Sequence, residues 1–250
     1  MKKQSDAAPL IGCAGWNIPK EAAAAFPPGG SHLERYAAVF PMVEINSSFS
    51  KPHQPKTYAR WADSVPAGFR FSVKVPRAIS HDAQMRDIDG LLARFASEVK
   101  ELKDKLGCLL VQTPPKLGFH DETARDFFLK LYDTFGCMIA CEGRHPSWFS
   151  DIATEVLRER KVTRVIADPA AGQPGPHVPT TNDIYVRLHG APRIYYSSYP
   201  QDYLDALVRD IEVHRAAGRQ VWCIFDNTAA GEAVPNALDV LRATGGIATA

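Results

Sequence analysis

Three cations and four carboxylates occupy equivalent places in this chain, each at or just past the end of a short apolar run: Lys74, Arg144 and Arg187, with Glu44, Glu142, Asp168 and Asp226. In the run from Phe69 to Val75, the residues Phe69, Phe71, Val73 and Val75 alternate with Arg70, Ser72 and Lys74. From Ile184 to His189, the residues Ile184, Val186 and Leu188 alternate with Tyr185, Arg187 and His189. Side chains two apart share one face of a strand, so an apolar face is backed by one that carries Lys74, or Arg187 with His189. The same count groups Met42, Glu44 and Asn46; Leu110 and Gln112; Met138, Ala140, Glu142 and Arg144; Arg164, Ile166 and Asp168; and Trp222, Ile224 and Asp226. Cationic side chains hold an anionic group through charge-assisted hydrogen bonds, which gives Lys74, Arg144 and Arg187 a binding role. A carboxylate such as Glu44, Glu142 or Asp168 serves as general base, and His189 or His145 shuttles a proton. Asn46, Gln112, Asp226 and Asn227 line the same region, with the loop aromatics Trp16 and Tyr199 beside it.

Each of these residues also has a purely structural reading. Buried ionisable groups cost several kcal/mol each without partners, and the four carboxylates and three cations are nearly balanced as a self-satisfied network. The convergence of the whole set on one end of the strands favours function. A divalent metal held by Glu142, Asp168 and His189 is a variant of that reading. Its ligand types are suitable, but the spacing is not diagnostic and the neighbouring arginines disfavour a cation.

The elements that must position these residues are legible as alternation. Strands are expected near residues 10–14, 41–45, 69–75, 108–113, 137–142, 162–167, 184–189 and 220–225, with helical patterns between most of them. Ser31-His32-Leu33-Glu34 has the spacing of a capping box. Pro55 suits the first turn of a helix. Leu91, Leu92, Phe95, Val99 and Leu102 recur at helical spacing within 87–105. Segments 121–135 and 200–217 each stop at a glycine, and 148–160 and 232–243 complete the series. Alternating strand and helix imply parallel strands. Eight repeats predict an α/β fold: a single eight-stranded parallel barrel of the triosephosphate-isomerase type, over residues 10–250 after a flexible segment 1–9. The interval Asp168–Asn182 holds four prolines and two glycines, so the crossover between the sixth and seventh strands is expected to be irregular.

Composition narrows the function classes. The 250 residues carry 29 basic and 28 acidic side chains, a net charge of +1, and no long run of one sign that would attract nucleic acid or a membrane. No apolar stretch approaches the roughly 20 residues that span a bilayer, and no apolar core follows Lys2 and Lys3 to make a secretory signal. The five cysteines are an odd number scattered through apolar segments, which predicts reduced thiols and a cytoplasmic protein. Cys137 and Cys141 fall on the face opposite Glu142 and read as core residues. No phosphate-binding loop, serine-hydrolase elbow or zinc-protease motif is present.

Several stretches in order resemble the YecE-like family, domain of unknown function 72. They are Ile11-Gly12-Cys13-Ala14-Gly15-Trp16, Val43-Glu44-Ile45-Asn46-Ser47-Ser48-Phe49, Phe69-Arg70-Phe71-Ser72-Val73-Lys74-Val75-Pro76, Leu110-Val111-Gln112-Thr113-Pro114-Pro115, Glu142-Gly143-Arg144-His145-Pro146-Ser147-Trp148, Arg187-Leu188-His189-Gly190 and Phe225-Asp226-Asn227-Thr228. Gly143 departs from the family, which places a bulky residue there; looser packing beside Glu142 is expected. The resemblance implies a barrel distantly similar to endonuclease IV and sugar isomerases, and no particular activity.

Two functions compete. One is an enzyme acting by acid/base chemistry on a phosphorylated or polyhydroxyl substrate, with a small anionic ligand held by the cations; a metal-dependent phosphoesterase distantly similar to endonuclease IV is its metal-bearing form. The other is a non-catalytic module for nucleic acid or a nucleotide, in which Trp16, Tyr195, Tyr196 and Tyr199 stack on bases beside Arg193. The near-zero net charge weighs against the second. The cofactor is left open by the sequence, and no membrane partner is expected.

Overall fold

Runs of alternating apolar residues bury one face against helices and leave the other to meet its own kind. The structure, a computed structural model, describes residues 8–246; positions 1–7 of the segment expected to be flexible lie outside the described residues. Among the described residues nine strands are formed: β1 Leu10–Cys13, β2 Met42–Ile45, β3 Arg70–Lys74, β4 Leu106–Gln112, β5 Met138–Glu142, β6 Val162–Arg164, β7 Ile166–Asp168, β8 Ile184–Leu188 and β9 Val221–Phe225. The helices are α1 His32–Ala37, α2 Pro55–Asp63, α3 Asp89–Val99, α4 Asp121–Phe135, α5 Asp151–Glu159, α6 Gln201–Ala216 and α7 Ala233–Ala243.

Local chemistry sets the helix ends. The Ser31 hydroxyl accepts from the Glu34 N–H while the Glu34 carboxylate accepts from the Ser31 N–H, closing the expected capping box on α1. Pro55 opens α2, and α4 ends at left-handed Gly136. The helix expected over 87–105 stops at Val99. Beyond it the chain tightens into a 3-10 turn interrupted at Lys103, whose φ is 54°. The helix expected from Trp148 starts at Asp151, because Ser150 caps it by accepting from the Ala153 N–H.

The strands do not form the single closed eight-stranded barrel expected from the sequence. They divide into two parallel sheets: four strands in the order β1-β9-β8-β7 and five in the order β2-β3-β4-β5-β6. Two local causes account for the division. The stretch expected as one strand over 162–167 is broken at Val165. On one side β6 pairs with β5, and on the other β7 pairs with β8, so the chain changes sheets within a single expected strand. Between β1 and β2, a side chain stands where ladder bonds would form. The buried Tyr36 hydroxyl accepts from the Cys13 N–H at 2.7 Å and donates to the Met42 carbonyl at 3.1 Å. The backbones are close there, since a Cβ on Gly12 would lie 2.3 Å from the Met42 carbonyl oxygen. Only an isolated bridge, Ala14 to Glu44, joins the two strands.

The outer faces of both sheets pack on the helices in one large apolar cluster. Their inner faces meet in a second, smaller core of Met42, Cys108, Leu110, Ala140, Val165, Tyr185, Trp222 and Ile224. All five cysteines are free. Burial pushes the Cys137 and Cys141 thiols up to about 12, as befits core residues. The interval after β7 forms no helix, as its prolines predict. Arg164 pins it down: its guanidinium donates to the carbonyls of Val178 and Trp148 and to the Thr154 hydroxyl. Arg164 therefore points towards α5 and not inward with Asp168, because the alternation count fails where the chain changes sheets. No helix of the described residues is long and apolar enough to cross a membrane.

Replacing Tyr36 by Phe keeps the ring and strands one buried N–H and one buried carbonyl. Each such group costs about 1–3 kcal/mol, so Tyr36→Phe should lower stability by about 2–6 kcal/mol in urea unfolding. A loss within about 0.5 kcal/mol, the usual range for an inert surface change, would show that water replaces the hydroxyl.

Candidate functional site

Above the inner core, charged side chains from both sheets converge on Arg187, which is fully buried on β8. Its Nε and Nη2 donate to Glu44 Oε2 and Oε1 at 3.1 and 2.7 Å, the two-pronged geometry that suits a guanidinium and a carboxylate. Nη1 donates to Glu142 Oε2 at 2.7 Å, and Nη2 reaches Asp226 Oδ2 at 3.0 Å. Tyr185, two residues before Arg187 and on the same face, donates its hydroxyl to Glu44 Oε2 at 2.9 Å and contacts Ser72 Oγ at 2.6 Å. Arg144 sets Nε and Nη2 on Glu142 Oε1 at 2.9 and 2.8 Å.

His189 fixes the charge count. Its Nδ1 lies 2.9 Å from Asp226 Oδ2 and its Nε2 3.3 Å from Glu142 Oε1. Ionised carboxylates only accept, so a ring between two of them is favoured in its imidazolium form, in which both nitrogens donate. Burial disfavours that charge, but Asp226 and Glu142 outweigh it and raise the His189 pKa. Burial likewise opposes ionisation of Glu142, yet Arg187, His189 and Arg144 hold it well below the usual carboxylate range. Asp226 is lowered for the same reasons, against its own burial, by Arg187 and His189. Arg187 itself is held well above its ordinary value, its desolvation overcome by Glu44, Asp226 and Glu142. Three carboxylates are thus matched by Arg187, Arg144 and His189.

Lys74 is the exception. It is 7 % exposed at the end of β3, with Nζ 4.4 Å from the centre of the Phe49 ring, and it makes no hydrogen bond or ion pair among the described residues. Burial, reinforced by Arg187 and only partly offset by Glu44, Asp226 and Glu142, brings its amine down to about 8.

The family model described as protein of unknown function DUF72 matches residues 10–248. The chain belongs to this family. UPF0759 protein YecE of Escherichia coli K12 is 32% identical over 164 residues, covering 63% of this chain and 58% of the relative, so the match spans under two thirds of that protein's length. UPF0759 protein YunF of Bacillus subtilis 168 is 23% identical over 93% of both chains. Among solved structures, a DUF72 family protein from Enterococcus faecalis V583 superimposes with a TM-score of 0.80 at 22% identity, covering 96% of each chain. One from Thermotoga maritima MSB8 gives 0.76 at 23%, covering 94% of this chain and 98% of that one. At these identities the structures speak for the fold.

In this DUF72 chain the remaining residues singled out from the sequence divide into two groups. Asn46 donates to Asp226 Oδ1 at 3.3 Å and leaves its own Oδ1 buried with no hydrogen-bond partner. Gln112 is buried at the end of β4, opposite Glu142 in the sheet register. Both stand beside the ionic cluster. Asp168 is bonded instead to the Tyr199 hydroxyl, at 3.0 Å, and makes no bond to Glu142 or His189 among the described residues. The weak metal set Glu142, Asp168 and His189 is therefore not assembled, and no other group of three or more such ligands is poised for a metal among the described residues. His145 caps its own turn, with Nδ1 2.8 Å from Ser147 Oγ. Asn227 ties the loop at Ser197 to Asn236. Trp16 packs edge-on against Trp61 at 5.0 Å. Tyr199 is buried, which removes one of the aromatics a base-stacking surface would use, while Tyr196 stays exposed with Arg193 over one face of its ring at 3.8 Å. Gly143 does not loosen the packing beside Glu142: Trp148 fills the space, and a Cβ there would lie 2.5 Å from its own.

Three residues beside the cluster, Tyr185, Ser72 and His81, were not singled out from the sequence, and Tyr195 was singled out only as a base-stacking aromatic. Tyr185 and Ser72 share strand faces with Arg187 and Lys74, so alternation could have found them. Tyr195, at a φ of 70°, sets its ring edge-on to His189 at 5.8 Å. His81, in the turn after β3, meets the Phe49 ring at 4.9 Å and is lowered by burial and by Lys74 nearby. Neither position carries a periodic signal.

Removing the hub should be severe. Arg187→Ala leaves three buried carboxylates without their shared cation, and a broken buried pair costs about 3–5 kcal/mol, a loss that urea unfolding would register as reduced stability or failure to fold. The pH dependence follows from the directions above. Glu142 and Asp226 are depressed, so their stabilisation is present above pH 4.5 and is lost as the pH falls through their folded values. His189 is raised, so its stabilisation is full below pH 6.5 and is lost as the pH rises through its folded value. Melting temperature should therefore plateau between these limits; His189→Gln should flatten the alkaline side and, by removing one of the cations that depress Glu142 and Asp226, shift the acid side to higher pH.

Proposed function

We propose that the carboxyl ends of the strands form an enzyme site for a small anionic, phosphorylated or polyhydroxyl molecule, with Lys74 as the group that exchanges a proton with it. The observation that carries this reading is the unmatched ammonium. Glu44, Glu142 and Asp226 are each held by two or more donors, and His189 has a carboxylate on each ring nitrogen. None of them is free to act as the general base or proton shuttle that their residue types suggest. Lys74 is buried and unpaired among the described residues, and burial with Arg187 beside it brings its amine down to about 8, the range in which a general acid or base works best at neutral pH.

An anion entering here supplies the missing counter-charge, worth roughly 4 kcal/mol of attraction at 4 Å and an intermediate dielectric. The unpartnered Asn46 Oδ1 offers an acceptor for a ligand hydroxyl. The ionic network serves as a fixed field around the amine and needs no rearrangement during reaction. A bare divalent metal would meet Lys74, Arg144 and Arg187 with repulsion from each.

Phosphate, sulfate or a sugar phosphate at about 100 times its dissociation constant should stabilise the fold by roughly 2.7 kcal/mol, several degrees in a thermal-shift assay. Lys74→Met removes a buried charge that has no partner, so the variant should be at least as stable as the parent while losing that shift. Divalent metals raising the melting temperature where these anions do not would reverse the sign assigned to the site.

A further inference from the structure

The same lysine has the surroundings of a nucleophile. Its stem is enclosed at the end of β3, where the Lys74 carbonyl is fixed by the Ser48 hydroxyl at 2.7 Å. Its Nζ rests over the Phe49 ring. The charges that act on it come from every side: Arg187 on β8, Glu44 on β2, Glu142 on β5 and Asp226 after β9, and His81 follows it in its own connecting turn. All three carboxylates are engaged by other cations, so none captures the amine. An ammonium desolvated beside another cation is the arrangement that activates a lysine towards carbonyl carbon.

We infer that Lys74 condenses with the carbonyl group of its ligand to form an imine, which makes the substrate class an aldehyde or ketone bearing an anionic or polyhydroxyl tail. The inference rests on the anion site proposed above and specifies what that site does. In the step, the free amine forms a C–N bond while the carbonyl π pair moves to oxygen. The oxygen takes a proton from solvent and the nitrogen returns one. A second proton on that oxygen allows the C–O bond to break, water leaves, and a protonated C=N bond to Lys74 remains. No oxidant or reductant is consumed.

An amine titrating near 8 holds on the order of a hundredfold more free base at pH 7.5 than an ordinary lysine. The test treats the whole chain at that pH with dihydroxyacetone phosphate and sodium cyanoborohydride, which reduces an iminium to a stable secondary amine. Intact mass and peptide mapping then locate the adduct. Lys74 should be labelled at least tenfold faster than any other lysine, and Lys74→Arg, with its fold checked by circular dichroism, should lose the fast adduct. Labelling spread evenly over the lysines would overturn the inference. Thermal shift with inorganic phosphate on the same samples separates the two readings. A phosphate shift without a fast adduct sinks the imine and leaves the anion site; a fast adduct without a phosphate shift supports the imine and sinks the anion site; neither result sinks both.

Discussion

A guanidinium removed from water must find acceptors for its whole fork of donors, and in this chain the need of Arg187 organises everything above the inner core. Its partners are drawn from both sheets. Glu44 and Glu142 belong to the five-stranded sheet, while Arg187, His189 and Asp226 stand on or just after strands of the four-stranded one. The attraction therefore acts across the division between the sheets and clasps them at their carboxyl ends. Isolated buried pairs often gain nothing over apolar packing. Here each carboxylate also receives a second donor, from Tyr185, Arg144, His189 or Asn46, which is the condition under which such a network holds its members in one arrangement.

The clasp compensates for what the backbone leaves undone. At one boundary the Tyr36 hydroxyl takes the place of ladder bonds, and at the other the chain passes from sheet to sheet at Val165. Below the ions, the two inner faces share the small apolar core, in which Tyr185 and Trp222 of the four-stranded sheet stack at 6.2 Å, and the contact of Ser72 Oγ with the Tyr185 hydroxyl at 2.6 Å crosses between the sheets. Tyr185 links these levels: its ring belongs to the apolar core and its hydroxyl to Glu44. Lys74 sits at the rim of this assembly and, among the described residues, is the cation of the group that makes no hydrogen bond or ion pair.

Much of this arrangement was legible in the sequence, for a definite reason. Helix-facing positions of a strand must be apolar, so Lys74, Arg187 and His189 could be placed on the opposite face by alternation, as could Glu44 and Glu142. Capping chemistry located the starts of α1 and α2. What alternation cannot convey is pairing between strands distant in the chain. Eight apolar runs look the same whether they form one sheet or two, and the hydroxyl of Tyr36 gives no sign in the sequence that it interrupts a ladder. The same blindness placed Arg164 on the wrong side. Residue type alone puts the carboxylates and His189 forward as reactive groups, and does not show that they bond to one another while Lys74 makes no such bond among the described residues. His145, Asp168, Asn227 and Tyr199 are bonded within turns and loops, since a polar side chain near a strand end can equally well secure a loop.

The division into two sheets also sets an order of assembly. The five-stranded sheet is built from an unbroken stretch of chain, 42–164, and its strands can pair as synthesis proceeds. The four-stranded sheet cannot: β1 is made first, yet its partner is β9, and the Gln220 side chain reaches the Ala8 carbonyl across 212 residues. Glu44 and Glu142 therefore emerge well before Arg187, and their ends of the sheet must stay hydrated until it arrives. The first strand and the two acids wait for the last quarter of the polypeptide, so a nascent chain halted before β8 would hold one sheet with its charged edge still open to water.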